Sequence, residues 1–286
     1  VSAPAFGYVR ANSLAEAVAE GARPGSAFVA GGTDLLQLWK AGVQAPERVV
    51  DISRLPIAGV AASGGRLSLG ALARLGDVAG HPEVARNHPL VAQAIAASAS
   101  GQVRNMATVG GNLLQRTRCV YFRNQHLPCN KRAPGSGCGA RAGENRQHAL
   151  FGASEACAAT HPSDLVVALV ALDAKVDILG TDGTRRIGLA DLYRLPGTDP
   201  ARDTVLSPGD LITAVEIAGA ACFAPHSTYL KIRDRASFEF AVVSVAAALR
   251  LEDGVIVEAR LAAGGIAPAP WRLAGAEAAL VGRTPG

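Results

Sequence analysis

The run RTRCVYFRNQHLPCNKRAPGSGCGARAGENRQHALFGASEAC, from Arg116 to Cys157, carries seven lysines and arginines against two glutamates. It has no apolar stretch that could form a core of its own. It also holds four of the five cysteines in the chain. Such a segment is ordered from outside its own side chains, by docking on the rest of the chain or by something that its cysteines hold. An odd cysteine count argues against a disulfide framework and toward metal or redox chemistry. The opening VSAPAFGYVRANS lacks a charged region followed by an apolar one, so no signal peptide is predicted, which points the same way. Cys119, Cys129, Cys138 and Cys157 are separated by 9, 8 and 18 residues, and no C-x-x-C pair occurs. A structural zinc would also accept four thiolates, with His126, His148 and His161 as substitutes, although zinc sites usually use closer pairs. Two disulfides, or a nucleic-acid loop with Tyr121, Phe122 and Phe151 as its aromatics, are further readings of the same residues. Cys222 stands apart in AGAACFAP and is predicted to be a small buried hydrophobe.

Outside this segment the chain is apolar enough to fold, at 49% hydrophobic residues. No apolar run is long enough for a membrane span. A net charge of +4 is modest for 286 residues and sits mainly in the cysteine segment, so no nucleic-acid partner is predicted. Ser13 and Glu16 in NSLAEAVAEG form a capping-box pattern that opens a helix, with Gly21 as its stop. SAFVA and ERVVDIS read as strands flanking the helix LLQLWKAG, and Pro56 closes this first unit. GGRLSLG is a strand, and Pro89 to Ser100 a helix. Ser163 is an N-cap before DLVVALVALDA, and KVDILGTDGTRRIGL is a hairpin at Asp182-Gly183. DLITAVEIA is a further strand. Beyond GAACFAPHST, a long hairpin turns at Asp253-Gly254 and PWRLAGAEAALVG supplies a last helix. Helices and antiparallel hairpins mix without βαβα alternation, so the class is α+β.

Two glycine pairs carry the chemistry. VAGGTDLL sits between a predicted strand and a predicted helix, where paired glycines leave backbone N–H groups uncovered for an anion. NMATVGGNLL repeats the theme at Gly110 and Gly111. A tight turn with an ordinary cap explains either loop taken alone; two together suggest two amide cradles facing one pyrophosphate. Neither is G-x-G-x-x-G and neither continues into Lys-Ser/Thr, which disfavours a Rossmann fold and excludes a P-loop.

VAGGTDLLQLWKAG, RNMATVGGNLLQRTRC, HPSDLVVALVALDAKV and YLKIRDRASFEFAVVSVAAAL follow one another as in the FAD-binding subunits of the xanthine dehydrogenase family of molybdenum hydroxylases. The resemblance spans the chain. It implies a two-lobed FAD-binding domain, residues 1–55 and 56–222, of the PCMH or vanillyl-alcohol-oxidase type. A cluster-binding insertion at 116–160 and a C-terminal antiparallel-sheet-and-helix domain at 223–286, short for the family, complete it. It implies FAD contacts from Ala30, Gly31, Gly32, Thr33, Asp34 and Leu35, and from Thr108, Gly110, Gly111 and Asn112. Asp164, Ile212 and Lys231 are implied as further contacts, with Lys231 approaching the flavin. The family pattern K-x-x-x-R-x-x-x-D-x-A occurs as Lys231, Arg235, Glu239 and Ala241, with Glu in place of Asp.

Most such subunits pass from the second glycine loop to the PSD helix by a short connection. The long insertion here is similar to that of the periplasmic aldehyde oxidoreductase branch, which carries a [4Fe–4S] cluster. The resemblance therefore implies Cys119, Cys129, Cys138 and Cys157 as cluster ligands. The seven basic residues, Arg116 to Arg146, would then compensate the cluster's negative charge. An oxidoreductase subunit follows, without catalytic residues of its own. Its implied partners are a large subunit with the molybdenum cofactor, a small [2Fe–2S] subunit and an electron acceptor. The compartment is left as cytoplasm, or periplasm through export with a partner. The alternative is a flavin-free, zinc-binding interaction module.

Overall fold

A computed structural model of the protein describes residues 5–63 and 65–285, which build three sheets. The first holds β1 (Gly7–Arg10), β2 (Ser26–Val29) and β3 (Arg48–Asp51) in the order β1-β3-β2, all parallel. Helices α1 (Leu14–Gly21) and α2 (Leu35–Lys40) make the crossovers. Strand β1 carries no alternating buried face, so the hydrophobic pattern did not reveal it. This lobe is therefore a small β-α-β-α-β unit, an alternation that the sequence reading missed, within a chain that is α+β as a whole. The Ser13 hydroxyl accepts from the Glu16 amide at 3.1 Å, as the cap requires. The Glu16 carboxylate reaches one residue further back than a capping box would, to the Asn12 amide at 2.7 Å.

The second sheet is antiparallel, with order β4-β5-β8-β6-β7, from β4 (Val60–Ser63), β5 (Arg66–Gly70), β6 (Lys175–Gly180), β7 (Gly183–Gly188) and β8 (Leu211–Ala218). Between β5 and β6 run α3 (Leu75–Gly80), α4 (Pro82–Asn87), α5 (Pro89–Ala97), α6 (Gly101–Arg104), α7 (Val109–Leu113), α8 (Val120–Arg123) and α9 (Asp164–Ala171). The third sheet holds β9 (Ser227–Ile232), β10 (Val243–Glu252), β11 (Val255–Gly264) and β12 (Trp271–Arg272), in the order β12-β11-β10-β9, followed by α10 (Ala274–Leu280). The β10–β11 turn puts Asp253 and Gly254 at φ 49° and 78°, the left-handed pair that a type I′ hairpin needs.

Every residue of α9 is buried. It lies against α5 on one side and against β10 and β11 on the other, and Ser163 caps it by accepting from the Val166 amide at 3.1 Å. One apolar core therefore runs from Leu67 and Leu69 through Leu165 and Leu169 to Ala246 and Ala262. The change of texture near residue 222 marks a new sheet, while the packing continues across it. Cys222 is exposed there, in a 3₁₀ turn with its thiol 3.3 Å from the Gly219 carbonyl; its neighbour Phe223 takes the buried position that Cys222 was predicted to fill. Among the described residues no helix is long and apolar enough to cross a membrane.

Candidate cofactor groove and cysteine lobe

The first glycine loop leaves the C-terminal end of β2 and enters α2. Its tightest constraint is at Gly31, where a Cβ would stand 1.9 Å from the Met106 carbonyl oxygen, so the two glycine loops touch through bare backbone. The amides of Gly31, Gly32, Thr33, Asp34 and Leu35 meet no acceptor among the described residues. Five consecutive unsatisfied donors facing a groove make an anion cradle. Asp34 does not fill it: its carboxylate turns away, accepting from the Arg116 amide at 2.8 Å, Arg118 at 2.9 Å and Arg123 at 2.9 Å.

The second loop is a wall and not a second cradle. Thr108 caps α7, a helix absent from the sequence reading, and its hydroxyl accepts from the Gly111 amide at 3.2 Å. The amides of Val109, Gly110 and Asn112 donate to Ala73, Ala71 and Thr108 carbonyls at 2.9, 2.8 and 2.8 Å. The expectation of two facing cradles fails because capping and loop packing occupy these donors. The loop still lines the groove, and a Cβ on Gly111 would meet only the Thr108 hydroxyl, at 3.0 Å, with open space beyond.

The groove has two arms that share Thr33, Asp34 and Gly111. One, of about 230 Å³, is mainly apolar, with Phe28, Ile52, Leu72, Leu211 and the predicted Ile212 in its lining. The other, of about 200 Å³, runs past Asn112 and Arg118 to Asp164, Phe238 and Phe240. A separate cavity of about 330 Å³ adjoins it, lined by Arg118, Cys119, His148 and Asp164 among others.

Asp164 and Lys231 are both nearly inaccessible and bond at 2.8 Å, while the Tyr229 hydroxyl donates to the other Asp164 oxygen at 2.6 Å. Burial raises the Asp164 carboxyl, and the Lys231 ammonium opposes that shift. Lys231 lies behind Asp164, with its charge matched, and does not line the groove as predicted. Tyr229 was missed, yet it shares the inward face of β9 with Lys231 at the strand period of two. Glu239 pairs with Arg235 at 3.3 Å on the groove rim.

The insertion docks on α2 through Phe122 and Cys129 against Leu38. Arg132 holds its first turn by donating to the carbonyls of Tyr121 at 2.7 Å, Phe122 at 2.8 Å and Leu127. All five cysteines are free thiols. Cys129 and Cys138 face each other across an isolated bridge, and Cys157 closes a second bridge with Ser154. Burial pushes the Cys119 thiol up to about 11, and the fields of Cys129 and Cys157 add to this. The Cys157 thiol is raised by burial and by Cys138 and Cys129, against the lowering field of Lys131. The four clustered thiols thus share one electrostatic neighbourhood. His148 Nε2 lies 3.2 Å from Cys119 Sγ; His126 is exposed, and His161 instead accepts from the Ser163 amide at 3.3 Å. Among the described residues no group of three or more His, Cys, Asp or Glu is arranged to hold a metal ion.

The basic residues expected to surround a cluster are mostly engaged elsewhere. Arg116 and Lys131 pair with Asp203, Arg118 and Arg123 with Asp34, Arg141 with Glu155 and Arg146 with Asp234. They bind the insertion to the lobes around it.

Residues 4–218 match the FAD binding domain in molybdopterin dehydrogenase, and residues 228–285 the CO dehydrogenase flavoprotein C-terminal domain. The chain is 48% identical over 279 residues to the aldehyde oxidoreductase FAD-binding subunit of Escherichia coli K12, covering 96% of this chain and 86% of that one. It is 29% identical over 286 residues to the glyceraldehyde dehydrogenase medium chain of Sulfolobus acidocaldarius, covering 98% and 82%. In fold it is similar to a chain of the carbon monoxide dehydrogenase of Hydrogenophaga pseudoflava, with a TM-score of 0.75 at 24% identity, covering 100% and 83%.

Proposed function

Because this chain belongs to the family of FAD-binding subunits of the molybdopterin dehydrogenases, we propose that it is the electron-transfer subunit of a molybdenum hydroxylase that oxidises an aldehyde or a heteroaromatic ring. The observation that carries this reading is the run of bare amides from Gly31 to Leu35 at the junction of a two-armed groove. A pyrophosphate matches it in charge and shape, and the arms accept the two ends of a dinucleotide. The apolar arm with Ile212 would hold the adenine, and the arm ending at Asp164 the isoalloxazine. Bound FAD would supply a centre that takes up electrons one at a time and can release them singly or as a pair. The chain's own residues bind it, orient it and exclude water from it. The names of the two relatives favour an aldehyde substrate.

A [4Fe–4S] cluster on Cys119, Cys129, Cys138 and Cys157 belongs to the same reading. The buried Cys119 and Cys157 thiols, each raised further by the charge of neighbouring thiolates, ionise readily only around a cationic group, so binding and deprotonation are coupled. Among the described residues no three candidate ligands converge on one point, as a zinc ion would need; the thiolates of a cubane attach to four different irons and stand farther apart. A large subunit carrying the molybdenum cofactor would hydroxylate the substrate. A small [2Fe–2S] subunit would deliver the electrons here, and a final acceptor would collect them.

The test is flavin, iron, zinc and acid-labile sulfide content of the complex, purified anaerobically. About one FAD and, beyond the iron and sulfide of the [2Fe–2S] subunit, about four irons with four sulfides per chain are expected. Gly111→Val adds a side chain whose Cβ meets only the Thr108 hydroxyl, at 3.0 Å, and otherwise enters the groove, so its FAD should drop well below stoichiometric. Full flavin in that variant would remove the groove as the FAD site. Zinc in place of those four irons and sulfides would make the cysteine lobe a structural metal site, and flavin-free protein would leave an interaction module.

A further inference from the structure

We propose that Arg118 is the cation that sets the reduction potential of the flavin, joining the FAD groove to the cysteine lobe. The inference rests on the FAD reading above and concerns a residue of the insertion. Three buried or half-buried acids border the isoalloxazine arm, Asp164, Asp34 and Glu239, of which Glu239 is matched by Arg235 at 3.3 Å. Asp164 is matched by Lys231 and Tyr229, so that pair presents little net charge. Asp34 serves two guanidiniums through one oxygen, Arg118 and Arg123, both at 2.9 Å. One carboxylate against two guanidiniums leaves a positive charge in excess on this wall.

Of those two cations, Arg118 is the one that lines the arm. It is held rigidly: it donates to Gln115 Oε1 at 3.2 Å, and its guanidinium lies 4.7 Å from the Phe240 ring centre. It also lines the adjoining cavity together with Cys119 and Asp164, and it precedes Cys119 in the chain. No cysteine lines either arm, but this arm shares Arg118, Asp164 and Phe240 with the cavity that Cys119 lines, which favours it for the redox-active ring. Two-electron reduction of an isoalloxazine with uptake of one proton adds one negative charge to the ring. The electrons come from a one-electron carrier on a partner subunit and the proton from solvent, and no covalent bond to the chain forms. A fixed cation in a low-dielectric wall favours that added charge and raises the potential.

The experiment is an equilibrium redox titration of the flavin absorbance in the purified complex, alongside FAD and iron content. Arg118→Gln keeps donors for Asp34 and Gln115 but removes the charge; it should retain FAD and shift the flavin midpoint to lower potential. Arg118→Lys should return the midpoint toward that of the parent protein, which a purely structural role would not require. Should Arg118→Gln fold poorly, Asp34→Asn gives the opposite test, because removing the counter-charge should raise the midpoint. An FAD-replete Arg118→Gln complex with an unshifted potential overturns the role of Arg118 and leaves the flavin reading standing. Absence of FAD from the parent complex overturns the flavin reading itself.

Discussion

Asp164 and Lys231 lie 67 positions apart, and their side chains are 5% and 3% exposed. Removing one member of such a pair leaves an uncompensated buried charge, a loss of about 3–5 kcal/mol. Lys231→Met should therefore lower folding stability by that order, measured by denaturant unfolding. Adding Asp164→Asn should recover a large part of the loss, since the remaining hydroxyl of Tyr229 can donate to a neutral amide. Equal destabilisation by the single and double variants would show that the two residues are not coupled. The sequence marked both residues, through their place in the family pattern. It did not show that they face each other, because a side chain's counter-ion depends on which strand and helix the fold brings alongside. Cys222 is the converse case. Its apolar neighbours suggested burial, but the 3₁₀ turn gives the inward position to Phe223 instead.

At the scale of elements, the insertion is tied to the groove by side chains and not by a sheet. Phe122 and Cys129 seat it on α2, and Arg118 and Arg123 clamp it to Asp34. Changing Cys129 to Ser should remove about four irons and four labile sulfides per chain while leaving FAD largely in place, since α7 and the first glycine loop have their own core contacts. Cys222→Ser should keep both centres full, because that thiol is exposed and bonded only to Gly219. Iron and sulfide analysis of the two variants side by side checks this. Iron loss in the Cys222 variant would mean that the four ligands were wrongly chosen. Elements with a strong local signal were legible: the capped α1 and α9, the β10–β11 hairpin with its Asp253-Gly254 turn, and the β6–β7 hairpin. β1 and α7 were not, since four or five residues with little hydrophobic contrast acquire their state only from what they pair with.

Across the whole molecule, the insertion, α9 and the C-terminal sheet meet around His161. It is half-buried, edge-on to Tyr193 at 4.7 Å, and feels the charges of Asp203 and Lys131. Burial holds its pKa down at about 4, against 6.5 in the unfolded chain. Between those values the unfolded chain binds the extra proton, so stability is complete above about pH 6.5 and falls as pH drops toward 4. The span corresponds to about 3 kcal/mol for this one group. Unfolding free energies of His161→Gln should show a shallower pH slope than the parent protein over that window, and parallel slopes would assign the acid sensitivity to other groups. The sequence by itself determined what is local. Hairpin turns and helix caps depend on sterics and hydrogen bonds within a few residues. It also determined, through the ordered set of motifs, the family and hence the two-lobed plan. Only the tertiary structure decided which amides stay bare, since the second loop's donors are taken by Ala71, Ala73 and Thr108 while the first loop's are not. It alone joined Asp34 to arginines 84 and 89 positions away (118 − 34 and 123 − 34). Coulomb attraction acts on distance in space, and the sequence carries that distance only after the chain has folded.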